Sequence, residues 1–293
     1  MREIPRFITD RVRKLNVWKR GGERAPHKPL LLLLALARVT QGCERLATFG
    51  ELEKPLARLL RRYGPSRKSV HPEYPFWRLQ TDELWEVTNS EGLIRRVSNS
   101  DPKKSELLSA NVHGGFPTLQ WEELKEHRAL LERIAARLLH GHFPESLHGD
   151  ILNDVGLSMS TTLFPRSSDF QRSVLTAYCH RCAICGYDAK IGTSDVGLEA
   201  AHIKWHQAGG PDDVNNGVAL CSIHHKALDC GAIGISEDLK VLLSCELHGS
   251  TTRDWFERFQ GSKLHRPGLA GWEPQREYIR WHFGQVFKRP AKD

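Results

Sequence analysis

The sequence predicts a mixed α+β protein of two domains, mainly helical in its first half and organised around a metal in its second. Three observations support this prediction. Runs of apolar residues at helical spacing dominate the first 145 residues, two short pairs of metal-ligand residues stand near positions 182 and 221, and 293 residues exceed the usual size of one domain. We expect domains over residues 1–145 and 169–293, with a linker over 146–168.

Helices are predicted for most of the N-terminal domain, together with a small β-sheet. Residues 3–20 alternate apolar and basic side chains at helical spacing, and further helices are expected over 49–62 and 120–139. Pro29 suits the first turn of a buried helix that carries the leucine run 30–34. His27 and Lys28 would then lie at the positive end of this helix, which favours an anion such as phosphate.

Two aromatic and glycine-rich segments complete this domain. Residues 71–80 and 84–87 are interpreted as a strand pair, joined by a turn at 81–83. His113, Gly114 and Gly115 begin a predicted flexible loop whose backbone can lie against a ligand.

The charge is distributed unevenly along the chain. Residues 1–72 carry 17 Lys/Arg against 6 Asp/Glu, whereas residues 151–293 carry 16 of each, and the whole chain has a net charge of +7. A polyanionic partner bound by the N-terminal domain is therefore expected; the alternative is a merely solvated basic face. No signal peptide or membrane-spanning run is found, and the irregular spacing of Cys43, Cys179, Cys230 and Cys245 favours a reducing, cytoplasmic location.

A metal site is predicted from four residues of the C-terminal domain. Cys182 and Cys185 form a C-x-x-C pair, and Cys221 and His224 form a C-x-x-H pair. Four such ligands in two close pairs suit a closed, tetrahedral, structural zinc site. The alternative is a set of reduced cysteines packed in the core.

The segments around this zinc knot have a recognisable order. A helix over 169–178 comes first, then a strand over 198–203, loop clusters over 209–213 and 215–217, and a strand over 218–220. A helix capped by Ser222 would carry His225 and Asp229 on one face. A hairpin over 232–235 and 240–243 and terminal helices over 255–260 and 278–287 follow.

This stretch resembles the HNH endonuclease family through the motifs E-A-A-H-I, N-G-x-A-L-C and H-H-x-x-x-D-x-G. The resemblance implies a ββα-metal fold and phosphodiester hydrolysis. It implies His202 as the general base, Asn216 as the residue that fixes the loop or reaches the metal, and His225 and Asp229 as ligands of a catalytic divalent ion. That ion would be Mg²⁺ or a transition metal such as Mn²⁺, Co²⁺ or Ni²⁺.

One position departs from the HNH pattern. Ala201 stands where many members place a metal ligand, and Glu199, on the same strand face, can supply the missing oxygen. The alternative for the whole motif is an inactive HNH fold that serves as a zinc-stabilised binding module.

The N-terminal domain resembles the sulfur-binding domain, which recognises DNA whose backbone carries phosphorothioate. The motifs R-A-P-H-K-P-L-L-L, Y-P-F-W-x-L…L-W-E-V and H-G-G-F-P carry this resemblance. It implies that the sulfur lies against Tyr74 and Pro75. Trp77 and Arg78 depart from the family, which can use a small residue shortly after this pair. Basic and loop residues are candidates for contacts with the phosphates or bases: Arg20, Arg24, His27, Lys28, Arg67, Arg78, Arg96, His113, Gly114 and Gly115.

The two resemblances together imply a phosphorothioate-dependent, McrA-like type IV restriction endonuclease that acts on double-stranded DNA. A double-strand break would need two HNH sites, so a homodimer is expected. Two alternatives stay open. One is an HNH nuclease directed to methylated bases, and the other is a non-catalytic, zinc-stabilised DNA-binding regulator.

Overall fold

The computed structural model describes residues 4–15, 26–91, 93, 101–159 and 168–293. They form two compact units, one before residue 160 and one from residue 168 onward. Each unit combines helices with short antiparallel strands, so the predicted α+β class is confirmed. Among the described helices, none is long and apolar enough to cross a bilayer.

Eight helices and three strands make up the described part of the first unit. The helices are α1 (Ile4–Arg13), α2 (His27–Thr40), α3 (Phe49–Tyr63), α4 (Glu73–Arg78), α5 (Lys104–Ser109), α6 (Thr118–Glu126), α7 (Arg128–His142) and α8 (Glu145–Val155). The strands are β1 (Ala47–Thr48), β2 (Glu86–Thr88) and β3 (His113–Gly115).

Helix α2 is the centre of the first unit. Its leucines are buried except for the half-buried Leu34, and it packs against α3, α4, α6, α7 and α8. Pro29 lies in its first turn, where a missing N–H leaves no helical carbonyl without a donor. The neighbouring α3 begins with a capping box in which Thr48 and Glu51 bond to each other's backbone N–H groups.

The strand pair predicted over residues 71–87 is wrong. Residues 73–78 form α4 and residues 79–82 a 3-10 turn, and β2 pairs with β3 rather than with this segment. Pro72 and Pro75 explain the difference. Each lacks a ladder donor, and both stand at the start of α4, where backbone N–H groups have no helical partner.

The flexible loop predicted at residues 113–115 is also wrong, because these residues form the central strand of the sheet β1-β3-β2. A Cβ on Gly114 would lie 2.6 Å from Nε1 of Trp85 and 2.8 Å from the Phe76 ring. On Gly115 it would lie 2.2 Å from the carbonyl oxygen of Arg45. The glycines are therefore required by close packing of the strand.

The end of the first unit differs from the sequence prediction in two places. The helix expected over 120–139 is divided into α6 and α7 at His127, whose φ of −118° and ψ of 80° are not helical. Residues 145–155, within the expected linker, form α8. This helix buries Leu147, Ile151 and Val155 and packs against α2, α3 and α7.

Four helices and six strands are found in the described part of the second unit. They are α9 (Ser168–Ala177), β4 (Lys190–Ile191), β5 (Ser194–Asp195), β6 (Leu198–His202), β7 (Gly217–Cys221), α10 (Ser222–Asp229), β8 (Ile233–Ile235), β9 (Val241–Leu243), α11 (Thr252–Trp255) and α12 (Arg276–Gln285). The predicted helix over 255–260 is instead the end of α11 followed by a 3-10 turn at Glu257–Phe259.

The β6-β7 hairpin forms the core of this unit. The two strands are antiparallel, with Leu198 opposite Cys221 and His202 opposite Gly217, and both α9 and α10 pack against them. The predicted order of strand, long loop, strand and helix is thus confirmed. Ser222 does not cap α10, because its hydroxyl donates to the carbonyl of Gly197, and Cys221 occupies the N-cap position.

Candidate functional site

The four predicted zinc ligands lie together. Their ligand atoms are all within 4.8 Å of one another. Nδ1 of His224 lies 3.1 Å from Sγ of Cys221 and 3.6 Å from Sγ of Cys182, and Sγ of Cys185 lies 4.0 Å from Sγ of Cys221. Tetrahedral zinc, with Zn–S bonds of about 2.3 Å and Zn–N bonds of about 2.0–2.1 Å, separates two sulfur atoms by roughly 3.8 Å and a sulfur from a nitrogen by roughly 3.6 Å. The cluster therefore has the size that a zinc ion requires.

The protonation of this cluster also suits a metal. Nε2 of His224 donates a hydrogen bond of 2.9 Å to the carbonyl of Trp255, which turns the lone pair of Nδ1 towards the sulfur atoms. Hydrogen bonds from Cys185 and Cys221 lower the pKa of Cys182, so the cluster favours a thiolate. Both features fit a structural zinc ion.

His202 lies at the end of β6, where one residue contacts the face of its imidazole ring and another contacts the edge. Its ring stacks on Phe170 of α9, with centroids 3.8 Å apart and 12° between the planes. Nε2 donates a hydrogen bond of 2.8 Å to Oδ1 of Asp212, and no described residue hydrogen-bonds to Nδ1. Burial lowers the pKa of His202, although Asp212 opposes this effect. The imidazole is therefore neutral near pH 7 and can accept a proton.

Asn216 is completely buried and uses its whole side chain to close the loop between β6 and β7. Oδ1 accepts from the backbone N–H of Lys204 at 2.8 Å, and Nδ2 donates to the carbonyls of Lys204 and Pro211, both at 2.9 Å. Of the two roles that the resemblance allows, this geometry corresponds to fixing the loop.

His225 lies between two carboxylates. Its Nδ1 is 2.7 Å from Oε2 of Glu199, and its Nε2 is 3.1 Å from Oδ2 of Asp229. Burial alone would lower the pKa of His225, but the charge of Asp229 and hydrogen bonds to both carboxylates raise it to about 9. Ala201 is buried and offers no ligand atom. An imidazole and two carboxylates are donors that divalent cations accept, so these residues fit a catalytic ion.

The two carboxylates lie on opposite edges of the His225 ring, so one cation bound to a ring nitrogen meets only one of them. The charge of Asp229 acts on His202 and raises its pKa.

Sequence reasoning missed three residues of this site. Asp212 falls in the G-G-P-D-D cluster, which was interpreted only as a loop, and His206 and Phe170 belong to no motif. Their proximity depends on the folded loop and on the packing of α9 against β6. A single sequence contains no local signal for such contacts.

Tyr74 and Pro75 begin α4 in the first unit. The half-buried Tyr74 ring stacks on His71, with centroids 4.7 Å apart, and the guanidinium carbon of Arg78 lies 4.8 Å from its centroid. Arg78 in turn donates from Nε to Asp101 at 2.6 Å. Pro75 is buried. The pair is therefore held rigidly, and Arg78 is engaged in fixing the tyrosine ring.

The other candidate contacts surround α4. Nζ of Lys28 lies 2.6 Å from Oδ2 of Asp82, so its charge is paired inside the protein. His27 is half-buried in the first turn of α2, and His113 is half-buried beside Asn89. Gly114 lies against the Phe76 ring of α4. Of the remaining candidates, Arg67 is exposed in the loop after α3. Arg20, Arg24 and Arg96 lie outside the described residues.

Solved structures include partial likenesses to this chain. It is similar to the sulfur-binding domain of ScoMcrA complexed with phosphorothioated DNA, at 26% identity and TM-score 0.46, over 50% of this chain and 94% of that one. The corresponding SprMcrA domain gives 23% identity and TM-score 0.44, over 52% and 94%. The type IV phosphorothioation-dependent restriction endonuclease ScoMcrA gives 26% and 0.42, over 50% of this chain and 27% of that one.

Family models give the more decisive comparison. No curated protein matches the chain in sequence. The model of the ScoMcrA-like DNA sulfur-binding domain matches residues 5–160, and the model of the HNH endonuclease matches residues 182–236. The first match covers more than half of the chain and coincides with the first structural unit. The chain therefore belongs to the ScoMcrA-like DNA sulfur-binding domain family and carries an HNH endonuclease domain as its second unit.

Proposed function

We propose that this protein is a type IV restriction endonuclease that binds phosphorothioated double-stranded DNA through its first unit and hydrolyses nearby phosphodiester bonds at its HNH site. The observation that carries the proposal is the presence, in one chain, of a family-matched sulfur-binding domain and an HNH domain with its histidines in place. ScoMcrA itself is a phosphorothioation-dependent endonuclease. We take the recognition domain to include α8 and hence to extend to about residue 159.

Tyr74 and Pro75 would distinguish sulfur from oxygen by their apolar surfaces. Sulfur is larger and a weaker hydrogen-bond acceptor than oxygen, so contact with two rings penalises it less. Burying an oxygen without a donor costs about 1–3 kcal/mol, which corresponds to roughly ten- to a hundredfold in affinity. His71 and Arg78 hold the Tyr74 ring in place for this contact.

The basic residues near Tyr74 and Pro75 have different roles in this proposal. Lys28 is paired with Asp82, so its contribution is to fix the start of α2 beside the turn after α4. His27, at the first turn of the same helix, stays a candidate for contact with the phosphate. Arg20 and Arg24 stay candidates from the sequence alone.

In the hydrolytic step, His202 accepts the proton of the attacking water at Nδ1, because Nε2 is already bonded to Asp212. A bound divalent cation would neutralise charge on the phosphate and stabilise the leaving oxygen. In this scheme Nε2 of His225 and Asp229, which lie 3.1 Å apart on one face of α10, would hold it. Glu199 then orients His225 by accepting its Nδ1–H, as a carboxylate does behind many metal-bound histidines.

The zinc ion is proposed as a structural element of the same unit. Its four ligands come from the turn after α9, the end of β7 and the first turn of α10, so one ion would tie three elements together. For the complete enzyme we propose a homodimer, because two HNH sites are needed to cut both strands.

The experiment that tests the enzyme is cleavage of a phosphorothioated duplex by a His202→Ala variant. We expect cutting to fall by at least about a hundredfold, since general base catalysis contributes on that order, while binding of the duplex is unchanged. His180→Ala is the matched control, because His180 forms a similar pair with Asp195 outside the proposed site. Cutting by His202→Ala at the wild-type rate would refute the assignment.

A further inference from the structure

We propose that Asp212 is the positioning residue of the nuclease site: its carboxylate holds the His202 imidazole by Nε2 and thereby presents Nδ1 to the attacking water. This inference rests on the proposed role of His202 as general base. Asp212 itself touches neither water nor substrate in this scheme.

The first support is the way the His202 ring is fixed. Stacking on Phe170 at 3.8 Å sets the plane of the ring but leaves it free to flip by about 180° around the Cβ–Cγ bond, which exchanges ring nitrogens with ring carbons. The hydrogen bond of 2.8 Å to Asp212 removes this freedom. It also assigns the proton of the neutral ring to Nε2, because a carboxylate only accepts, and so leaves a lone pair on Nδ1.

The second support is the rigidity of the loop that carries Asp212. Nδ2 of Asn216 bonds to the carbonyl of Pro211, the residue directly before Asp212. Gly210 passes so close to Lys204 that a Cβ would lie 1.9 Å from its carbonyl oxygen. The Asp212 side chain is 40% exposed, but its backbone is held by buried contacts. The loop therefore holds the Asp212 carboxylate in a fixed position beside Nε2 of His202.

A cation site is the competing interpretation, since His202, His206 and Asp212 also form a set of possible metal ligands. Nδ1 of His206 lies 3.3 Å from the same oxygen, Oδ1, that binds His202. The ligand atoms of the three residues all lie within 4.8 Å of one another, as they would around a single ion. With bonds of about 2.0–2.1 Å, a tetrahedral ion would separate nitrogen and oxygen by roughly 3.3 Å and an octahedral ion by roughly 2.9 Å. The His202–Asp212 contact of 2.8 Å has the length of a direct hydrogen bond and excludes the tetrahedral geometry, and metal analysis of Asp212→Ala tests the octahedral one.

Titratable groups around His202 predict the direction of a pH effect. Asp212 and Asp229 raise its pKa, whereas burial and His206 lower it. Loss of the Asp212 charge would therefore lower the pKa further. A base with a lower pKa stays neutral to lower pH, so the acid limb of the pH-rate profile moves to lower pH even though the maximal rate falls.

The test compares Asp212→Asn and Asp212→Ala with the wild type in cleavage of a phosphorothioated duplex across pH. We expect kcat to fall about ten- to a hundredfold, KM to stay within about twofold, and the acid limb to move to lower pH. Asp213→Asn is the matched control and should behave as the wild type, because this neighbouring carboxylate makes no ion pair with a described residue. Nitrogen-15 NMR, with the His202 signal assigned from the His202→Ala spectrum, should show the Nε2–H tautomer only when Asp212 is present.

Several outcomes would overturn this inference. Unchanged kcat in both variants would do so, as would a loss of rate in folded protein without a shift of the acid limb or the tautomer. A cation bound in the wild type besides those held by the cysteine cluster and His225, and lost in Asp212→Ala, would identify a metal site instead. If the His202→Ala variant still cuts DNA, the proposed role of His202 as general base is wrong. This result differs from the outcomes above, which refute only the role of Asp212.

Discussion

At the scale of single residues, the environment assigns different tasks to histidines that the sequence places close together. His202 is half-buried against Phe170 and has one carboxylate at one edge, which favours a neutral ring with a free nitrogen. His225 has a carboxylate at each edge, and these raise its pKa to about 9. His224 faces three thiols and a backbone carbonyl. The first environment suits a base. In the other two, a bound cation would replace the proton that the carboxylates or thiolates favour on the ring.

The sequence motifs predicted these histidines because their spacing is local, but they could not predict Asp212. Ten residues separate Asp212 from His202, and the intervening loop reaches its shape only through the buried amide of Asn216. Contacts made by such a loop are a tertiary property. The role of Asn216 in fixing it corresponds to one of the two roles expected from the resemblance.

Asn216→Ala should therefore weaken catalysis without affecting recognition. The change removes three hydrogen bonds and leaves buried backbone groups without partners, so we expect a loss of about 1–3 kcal/mol in the stability of the second unit and a marked fall in cleavage. Calorimetry and a cleavage assay check this. Asn215→Ala is the control, because the Asn215 amide bonds to Gly271 and Glu273, outside this loop. Equal loss of cleavage in both variants would contradict the account.

At the scale of elements, sequence reasoning succeeded where a pattern has one physical solution. The leucine run of α2 is too continuous for a half-buried strand, which predicts a buried helix. The HNH motifs follow one another along the chain, and their order predicted strand β6, strand β7 and helix α10. It failed for α4, since a six-residue helix has too few turns to show a period. The two-residue strands β1, β4 and β5 were not predicted for the same reason.

Strand β3 makes a prediction about its glycines. Gly114→Ala should destabilise the first unit by about 1–3 kcal/mol, since the new methyl group would overlap Trp85 and Phe76. Thermal unfolding and DNA binding should both show the loss. Gly149→Ala in α8 is the control, because nothing lies within 4 Å of its added Cβ and alanine favours a helix. A Gly114→Ala variant as stable as the wild type would contradict the packing described for β3.

The cysteine cluster makes a prediction about metal content. Purified protein should contain about one zinc per chain, and Cys185→Ser should lose it together with stability of the second unit, because the ion would join three elements of that unit. Elemental analysis and calorimetry measure both effects. Cys245→Ser, at an exposed cysteine outside the cluster, should retain the zinc. Full zinc content in Cys185→Ser would exclude the site.

At the scale of the whole molecule, the charge of the sequence overstates the basic surface that is available to DNA. Many cations of the first unit are paired with carboxylates: Arg11 with Glu83, Lys28 with Asp82, Arg45 with Glu86, Arg62 with Asp154, Arg78 with Asp101 and Lys104 with Glu53. The sequence shows that positive charge is concentrated in the first part of the chain, but it does not show which of these cations form ion pairs. If the phosphate contacts contribute only modestly to affinity, the contribution of one sulfur atom is large enough to determine which duplex the protein binds.

The central claim is that the first unit selects phosphorothioated DNA for the HNH site to cut. Its most direct test is the binding of the non-cutting His202→Ala protein to two duplexes of identical sequence, one phosphorothioated and one ordinary, followed by fluorescence anisotropy. The account predicts a Kd about ten- to a hundredfold lower for the phosphorothioated duplex, and loss of this preference in Tyr74→Ala. Equal Kd values for the two duplexes would contradict it.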